Sequence, residues 1–317
     1  MSAWRYVAAY VEAGLQTRLI DPLECMFGPG RVAEHMDRRF GISTHLFHDA
    51  RLNREHLVHI AAHGFEAIEL FATRSHFDYH DEQAVEQLAE WLADTRLELH
   101  SVHAPIAEGL SGGQWIGTLS NASGQEARRK AALAETAAAL RIAQRLPYRY
   151  LVTHLGIPAA EQGASADNQP AAARRSVEEI VELAAAVQVK VAIEVIPNAL
   201  SSAAALVRLL EDDLEDVDAG ICLDYGHVQL MGDLGDAIET ISGHLLTTHV
   251  HDNRGRRDDH LVPFGGSINW DLAMMETQKI GYDGVMMFEV AGTGDPVDVL
   301  KRCVAARGRL EQTFVTF

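Results

Sequence analysis

Residues 245–266 read LLTTHVHDNRGRRDDHLVPFGG. The apolar run Leu245-Leu246-Thr247-Thr248 has the composition of a buried strand. It empties into a polar loop that carries His249, His251, Asp258 and His260 around an arginine cluster and closes on Gly265-Gly266. Loops set on a rigid scaffold are where binding and chemistry concentrate. Imidazoles and carboxylates at alternate positions can converge on a hard or borderline divalent cation. The rest of the chain then reads as a frame that brings more such groups to this loop.

Outward from this stretch the same unit repeats. Short apolar, β-branched runs at 41–47, 66–71, 97–103, 150–154, 190–196, 219–224, 245–251 and 284–290 predict eight strands. Segments of helical period lie between them, at 53–62, 82–93, 125–144, 171–187, 201–210, 234–241 and 270–280, and an eighth spans 296–312. Eight strands each followed by a helix predict an α/β protein, a (β/α)₈ TIM barrel over 40–317. An open doubly wound sheet is the alternative, but no glycine-rich phosphate loop follows the first strand. The longest connections, near 106–123 and 157–169, belong at the C-terminal rim, where substrate loops sit. Residues 1–39 read as an N-terminal extension, with a helix near 7–15 broken by Gly28-Pro29-Gly30. Such a segment is an arm, a poorly ordered stretch or a contact in a homo-oligomer.

The 317 residues are 47% hydrophobic, enough to bury a large core. No apolar run reaches the length of a membrane span, and the first residues lack the pattern of a secretory signal. Cys25, Cys222 and Cys303 are few, distant and odd in number, which fits a reducing, cytoplasmic setting without a cysteine zinc site. A net charge of −18 argues against a nucleic-acid partner, which a basic stripe would attract. A small-molecule substrate suits the balance better.

Polar residues collect at the predicted strand ends, where a barrel keeps its active site. They are His45, Glu69, His100 and His103, His154, Glu194, Asp224 with His227, His249 with His251, and Glu289. A carboxylate inside a strand of apolar neighbours is costly unless paired or metal-bound. Glu194 and Glu289 hold equivalent places in AIEVI and MMFEV. With Asp224 and His249 they form an oxygen-rich site for Mn²⁺, Mg²⁺, Co²⁺ or Zn²⁺. Taken singly, each has a plainer reading. His154 suits a hydrogen-bonded core position, Asp224 suits a helix cap, and His251 and Asp252 suit bracing of the loop. Glu69 either pairs in a salt bridge or lines the substrate site, and His45, His48 and His100 are structural or substrate-lining. The joint placement carries the argument.

GFEAIELF at 64–71, Glu194, Asp224-x-x-His227, His249 and Glu289 resemble the xylose-isomerase-like barrel superfamily, which holds sugar isomerases and epimerases together with endonuclease IV. The resemblance covers about Phe40 to the C-terminus. It implies that Glu194, Asp224, His249 and Glu289 hold one divalent metal and that His227 touches substrate. The chain also matches the endonuclease's set for three zinc ions at His103, His154, Glu194, Asp224, His227, His249, Asp258, His260 and Glu289. That match implies one to three ions. The chain departs from the endonuclease in its first strand, Gly41-Ile-Ser-Thr-His45, and in loops without clear base-stacking and basic residues. The HVHDNRG…DDHL…GG…NW style resembles bacterial sugar-phosphate isomerases and epimerases more closely.

The expected reaction is proton transfer beside the carbonyl of a sugar or sugar phosphate. The resemblance implies that Glu194 and Glu289 act as base and acid while also binding metal, and His227 and Arg254 would orient hydroxyls or a phosphate. A multinuclear phosphodiesterase and a metal-dependent lyase on an oxidised glycoside are the other enzyme classes. A barrel that binds without turnover is the non-enzyme reading, disfavoured because so many ionisable groups on strand ends are expensive to keep.

Overall fold

The computed structural model describes residues 38–214, 217–291 and 294–315. The chain divides into Met1–Asp37 and Arg38–Phe317. The helix expected near 7–15 and Cys25 lie outside the described residues.

Eight parallel strands close into a barrel: β1 (Phe40–Ser43), β2 (Ala67–Phe71), β3 (Glu98–His103), β6 (Tyr150–Thr153), β7 (Lys190–Glu194), β8 (Ala219–Asp224), β9 (Leu245–Val250) and β10 (Met286–Phe288). Neighbours in sequence are neighbours in space, and β10 closes on β1. The helices between them include α1 (Arg54–Ala62), α2 (Glu82–Thr95), α3 (Glu126–Leu140), the short α4 (Ala164–Asp167), α5 (Pro170–Ala185), α6 (Ala203–Arg208), α9 (Trp270–Lys279) and the terminal α10 (Pro296–Val315). The expected (β/α)₈ barrel is therefore the fold. Polar N-caps start many of the helices: Asn53, Asp81, Ser202, Asp233 and Asn269 each accept from a backbone N–H two or three residues further on. Among the described helices none is long and apolar enough to cross a membrane.

Strand alternation sorts the core into an outer and an inner part. Ile68, Leu70, Val102, Leu151, Val191, Ile193, Ile221, Leu223 and Val250 belong to the large core shared with the helices. Val152, Ala192 and Cys222 form a separate inner cluster, as do Ala67, Val285 and Met287. Gly41 makes room there, since a Cβ on it would stand 2.7 Å from Met287 Cε. Two residues further along these strands come His154, Glu194, Asp224, Glu69 and Glu289. The period of two thus stacks one polar layer on the apolar plug, at the C-terminal mouth. Register completes the alignment: Asp224 pairs with His249, and Glu194 with Cys222.

The structure differs from the expected elements in several places. The first strand stops at Ser43, whose hydroxyl accepts from His45 N–H at 3.3 Å and starts a 3₁₀ turn over Thr44–Phe47. Strands at 190–196, 245–251 and 284–290 end two, one and two residues early, so His251 and Glu289 stand just past strand ends. The connection near 106–123 contains an antiparallel hairpin, β4 (Ala107–Ser111) and β5 (Gln114–Thr118). Gly112 and Gly113, at φ +57° and +75°, form its turn, which only glycine-like residues enter cheaply. A short helix, α7 (Tyr225–Met231), follows β8 directly, ahead of α8 (Leu234–Thr240).

Candidate metal centre

Three groups of side chains meet at the barrel mouth. Glu194, Asp224, His249 and Glu289 form one; His103, His154 and Glu194 a second; His227, His251, Asp258 and His260 a third. Within each group the donor atoms all lie within 4.8 Å of one another. All nine residues expected as ligands are brought together here, with His251 in addition.

In the first group, His249 Nδ1 lies 3.4 Å from Glu194 Oε1, 3.3 Å from Glu289 Oε2 and 3.8 Å from Asp224 Oδ2. Neither His249 Nδ1 nor Glu194 Oε1 has a hydrogen-bond partner, although both are buried. Such orphaned atoms are expensive in a protein interior. The spacing has a simple meaning: donors about 2.1 Å from a shared tetrahedral ion stand about 3.4 Å apart. The group therefore fits a divalent cation by chemistry and by the distances between its atoms.

The imidazoles are held so that one nitrogen faces inward. His249 Nε2 lies 3.1 Å from Glu69 Oε2, so its N–H can donate there and leave Nδ1 to the first group. His103 Nδ1 lies 2.8 Å from Ala104 O, His227 Nδ1 3.1 Å from Val195 O, and His260 Nδ1 2.9 Å from Glu289 O. In each the Nδ1–H donates to a carbonyl, and Nε2, turned to a carboxylate that keeps it protonated, is the nitrogen an ion would take once that proton leaves. His260 sits at φ +43°, a left-handed backbone that aims its ring and that histidine tolerates better than most residues.

Glu194 links the groups. Its Oε2 faces His103 Nε2 at 3.1 Å and His154 Nε2 at 3.2 Å, while Oε1 faces His249. Burial alone would push this carboxyl up, but the imidazoles of His249, His154 and His103 overcome it and hold it well below the usual carboxylate range. Burial pulls His103 down, yet the Glu194 carboxylate raises it to about 9. Against the same burial, Asp258 raises His260 to about 10. Asp224 does two things at once: Oδ1 accepts from His227 N–H at 2.7 Å, capping α7, while Oδ2 faces the first group.

Above the groups lies a cavity of about 320 Å³. Glu194, Glu289, His227, His103 and Asp258 line it together with Phe71, Ile106, Trp115, Leu119 and Ile157. Trp115, on the β4–β5 hairpin, meets Phe71 edge-on at 5.7 Å. His45 and His48 stack at 4.6 Å along the same wall. Neither the hairpin nor Trp115 was anticipated as part of the site; the Gly112-Gly113 pair was the available signal.

Two expected substrate contacts stand elsewhere. Arg254 is 63% exposed and its guanidinium lies 3.8 Å from Asp259, away from the cavity lining. Glu69 is fully buried behind His249, taking hydrogen bonds from Ser101 Oγ–H at 2.9 Å and from His249. Asp252 braces the loop, accepting from Asn253 N–H, Ile268 N–H and the Trp270 indole. His100 lies deeper in the barrel, beside Thr247 and Tyr150.

Residues 57–305 match the xylose isomerase-like TIM barrel family, and the chain belongs to it. Among curated proteins it is 28% identical over 272 residues to Uncharacterized protein MJ1311 of Methanocaldococcus jannaschii, spanning 83% of this chain and 87% of that one. Among solved structures it resembles a D-tagatose 3-epimerase-like protein with a TM-score of 0.69 and 24% identity, over 87% of this chain and 97% of that one. It also resembles the IolI protein with a bound zinc atom, with a TM-score of 0.69 and 15% identity, over 88% of this chain and 100% of that one. At these identities the structural likeness concerns the barrel itself.

Proposed function

We propose that the protein is a divalent-metal-dependent isomerase or epimerase of a small carbohydrate that carries a hydroxyl next to a carbonyl. One observation carries this reading: Glu194, Asp224, His249 and Glu289 converge on a common point below a cavity of small-molecule size. An ion held by these four residues would polarise a carbonyl oxygen as a Lewis acid. Its three carboxylates and one imidazole suit Mn²⁺, Mg²⁺, Co²⁺ or Zn²⁺.

The chain's own groups supply the rest. The carboxylates of Glu194 and Glu289 both border the cavity. One accepts the proton from the carbon beside the carbonyl, and the other returns a proton on the opposite face, or to the neighbouring carbon for isomerisation. His227 borders the cavity as well and orients a substrate hydroxyl. Trp115, Phe71, Ile106 and Ile157 form an apolar wall that excludes water from the exchanging proton. Among the described residues the lining holds no lysine or arginine, which favours an uncharged sugar over a sugar phosphate.

A second reading has its own support. Two of the three ligand groups share Glu194 and the third adjoins it through His227, whose Nδ1 lies 3.2 Å from Glu194 Oε1, an arrangement suited to a multinuclear centre that clamps a phosphodiester. The two readings separate in one experiment. Metal-loaded protein in D₂O with free ketoses should incorporate deuterium at the carbon beside the carbonyl, seen by NMR. Absence of exchange with every ketose, together with cleavage of a phosphodiester such as an abasic-site duplex, would replace the isomerase reading with the hydrolase.

A further inference from the structure

The cavity lining contains four carboxylates, Glu161, Glu194, Asp258 and Glu289, and among its described residues no lysine or arginine. Three of the four belong to the ligand groups, where ions or imidazoles answer their charge. Asp258 Oδ2, for example, has His227 Nε2 and His260 Nε2 at 3.0 and 2.9 Å. Glu161 belongs to none of the groups, and its carboxylate has no hydrogen bond or ion pair among the described residues. It is exposed at the rim and borders the cavity. Desolvation by the wall raises its pKa, and the His154 imidazole opposes that rise. The backbone beneath it is fixed. Ile157 N–H donates to Asn168 Oδ1 at 2.7 Å, and Asn168 Nδ2–H donates back to Ile157 O at 2.9 Å. Buried Asn198 donates from Nδ2 to Leu155 O and Ile157 O at 2.9 and 3.1 Å. Ala159 N–H reaches Pro197 O at 2.9 Å, and Glu161 N–H closes a turn on Pro158 O at 3.0 Å. Gly156, at φ +80°, lets the chain pass Asn168, whose Oδ1 a Cβ there would strike. A charge carried on so constrained a turn is placed before any ligand arrives, which limits the entropy lost on binding.

We propose that Glu161 selects the substrate by charge and that the preferred substrate is an amino sugar. Its unpartnered carboxylate favours a protonated amino group, admits a hydroxyl, and rejects a phosphate or a second carboxylate. The inference rests on the reading of this cavity as the substrate site of a carbohydrate enzyme, and it narrows that reading to a class. An ionised carboxylate only accepts hydrogen bonds. An ammonium gives it charged ones, a hydroxyl gives it neutral ones, and an anion gives it none and meets like charge. The cavity, about 320 Å³, keeps every substituent of a bound monosaccharide close to this charge, since physiological salt screens over about 8 Å. At an exposed rim such a charge is worth a factor of a few in affinity, not orders of magnitude. It also draws cations to the mouth and turns anions away, in the same sense as the chain's net charge of −18.

Calorimetry on metal-loaded protein tests it with three probes that differ at one carbon: 1-amino-1-deoxy-D-fructose, D-fructose and D-fructose 1-phosphate. Glu161→Gln keeps the shape of the side chain and removes its charge. Relative to D-fructose, it should lose about fivefold on the amino sugar and gain by a similar factor on the phosphate. Glu161→Lys should shift both ratios further in the same direction. Raising the ionic strength should shrink the difference between wild type and Glu161→Gln, which a steric role would not do. The same affinity ratios in wild type and Glu161→Gln would overturn the proposal, and so would failure of all three probes to bind wild type. Deuterium exchange reports on the reaction separately. Exchange with D-fructose but no charge selection removes this inference and keeps the isomerase reading; charge selection without exchange does the reverse.

Discussion

His249 Nδ1 and Glu194 Oε1 face each other across 3.4 Å, both buried and neither hydrogen-bonded. A protein interior that satisfies most of its polar atoms keeps such a pair at a cost, and a cation between them removes the cost. Glu194 is also the residue common to two ligand groups, so it is the most informative position to change.

Glu194→Gln keeps the size of the side chain and removes its charge. Metal content should fall in both groups that use it, with the barrel intact by circular dichroism. Turnover should be lost. Full metal content in this variant would exclude Glu194 as a ligand.

Glu69→Gln tests the layer behind the ligands. Glu69 takes the Nε2–H of His249 and thereby leaves Nδ1 to the metal group. Loss of that charge should weaken metal binding by roughly 10- to 100-fold without touching the cavity. An unchanged dissociation constant by calorimetry would reduce Glu69 to a buried salt-bridge partner.

Metal binding should expel protons. In the metal-free protein, His103 and His260 hold protons up to about 9 and about 10. An ion needs the lone pair on the same ring, so apparent affinity should rise with pH and level off above those values. Calorimetry in buffers of different ionisation heat would count the protons released. Affinity that stays flat across this range would contradict the assignment. The sign for the metal-free fold is opposite. Both pKa values lie above that of an unfolded histidine, about 6.5. The stability they add is fully present below that pH and is lost as pH rises through about 9 and 10.

Trp115→Ala should separate substrate contact from metal binding. Trp115 lines the cavity from the hairpin, beside Phe71 and His48, and belongs to none of the ligand groups. The substitution should raise KM about tenfold, in keeping with loss of one aromatic contact, and leave metal affinity unchanged. A fall in metal content would show instead that the hairpin supports the ligand groups.

The sequence made the barrel legible because its strands are apolar runs at regular intervals, and because its ligands recur near the C-terminal ends of most of them. Glu194 and Glu289, inside AIEVI and MMFEV, declared themselves by being charged where apolar residues belong. Strand ends were less legible: Ser43 turns the chain with its own hydroxyl, a local bond that composition does not reveal. The β4–β5 hairpin was hidden in a stretch that looked irregular, although Gly112-Gly113 marked its turn. Glu69, Arg254 and His251 were recognised as polar groups near the mouth. Which face of a ring or carboxylate each would meet depends on packing across strands, and spacing along the chain carries no record of that.

The account depends most on convergence around a cation. Elemental analysis of protein purified without chelator and reloaded with Mn²⁺, Co²⁺ or Zn²⁺ measures it directly. The account predicts at least one tightly held equivalent per chain in wild type and its loss in Glu194→Gln. A folded wild-type protein that retains no divalent ion under any of these loadings would contradict it.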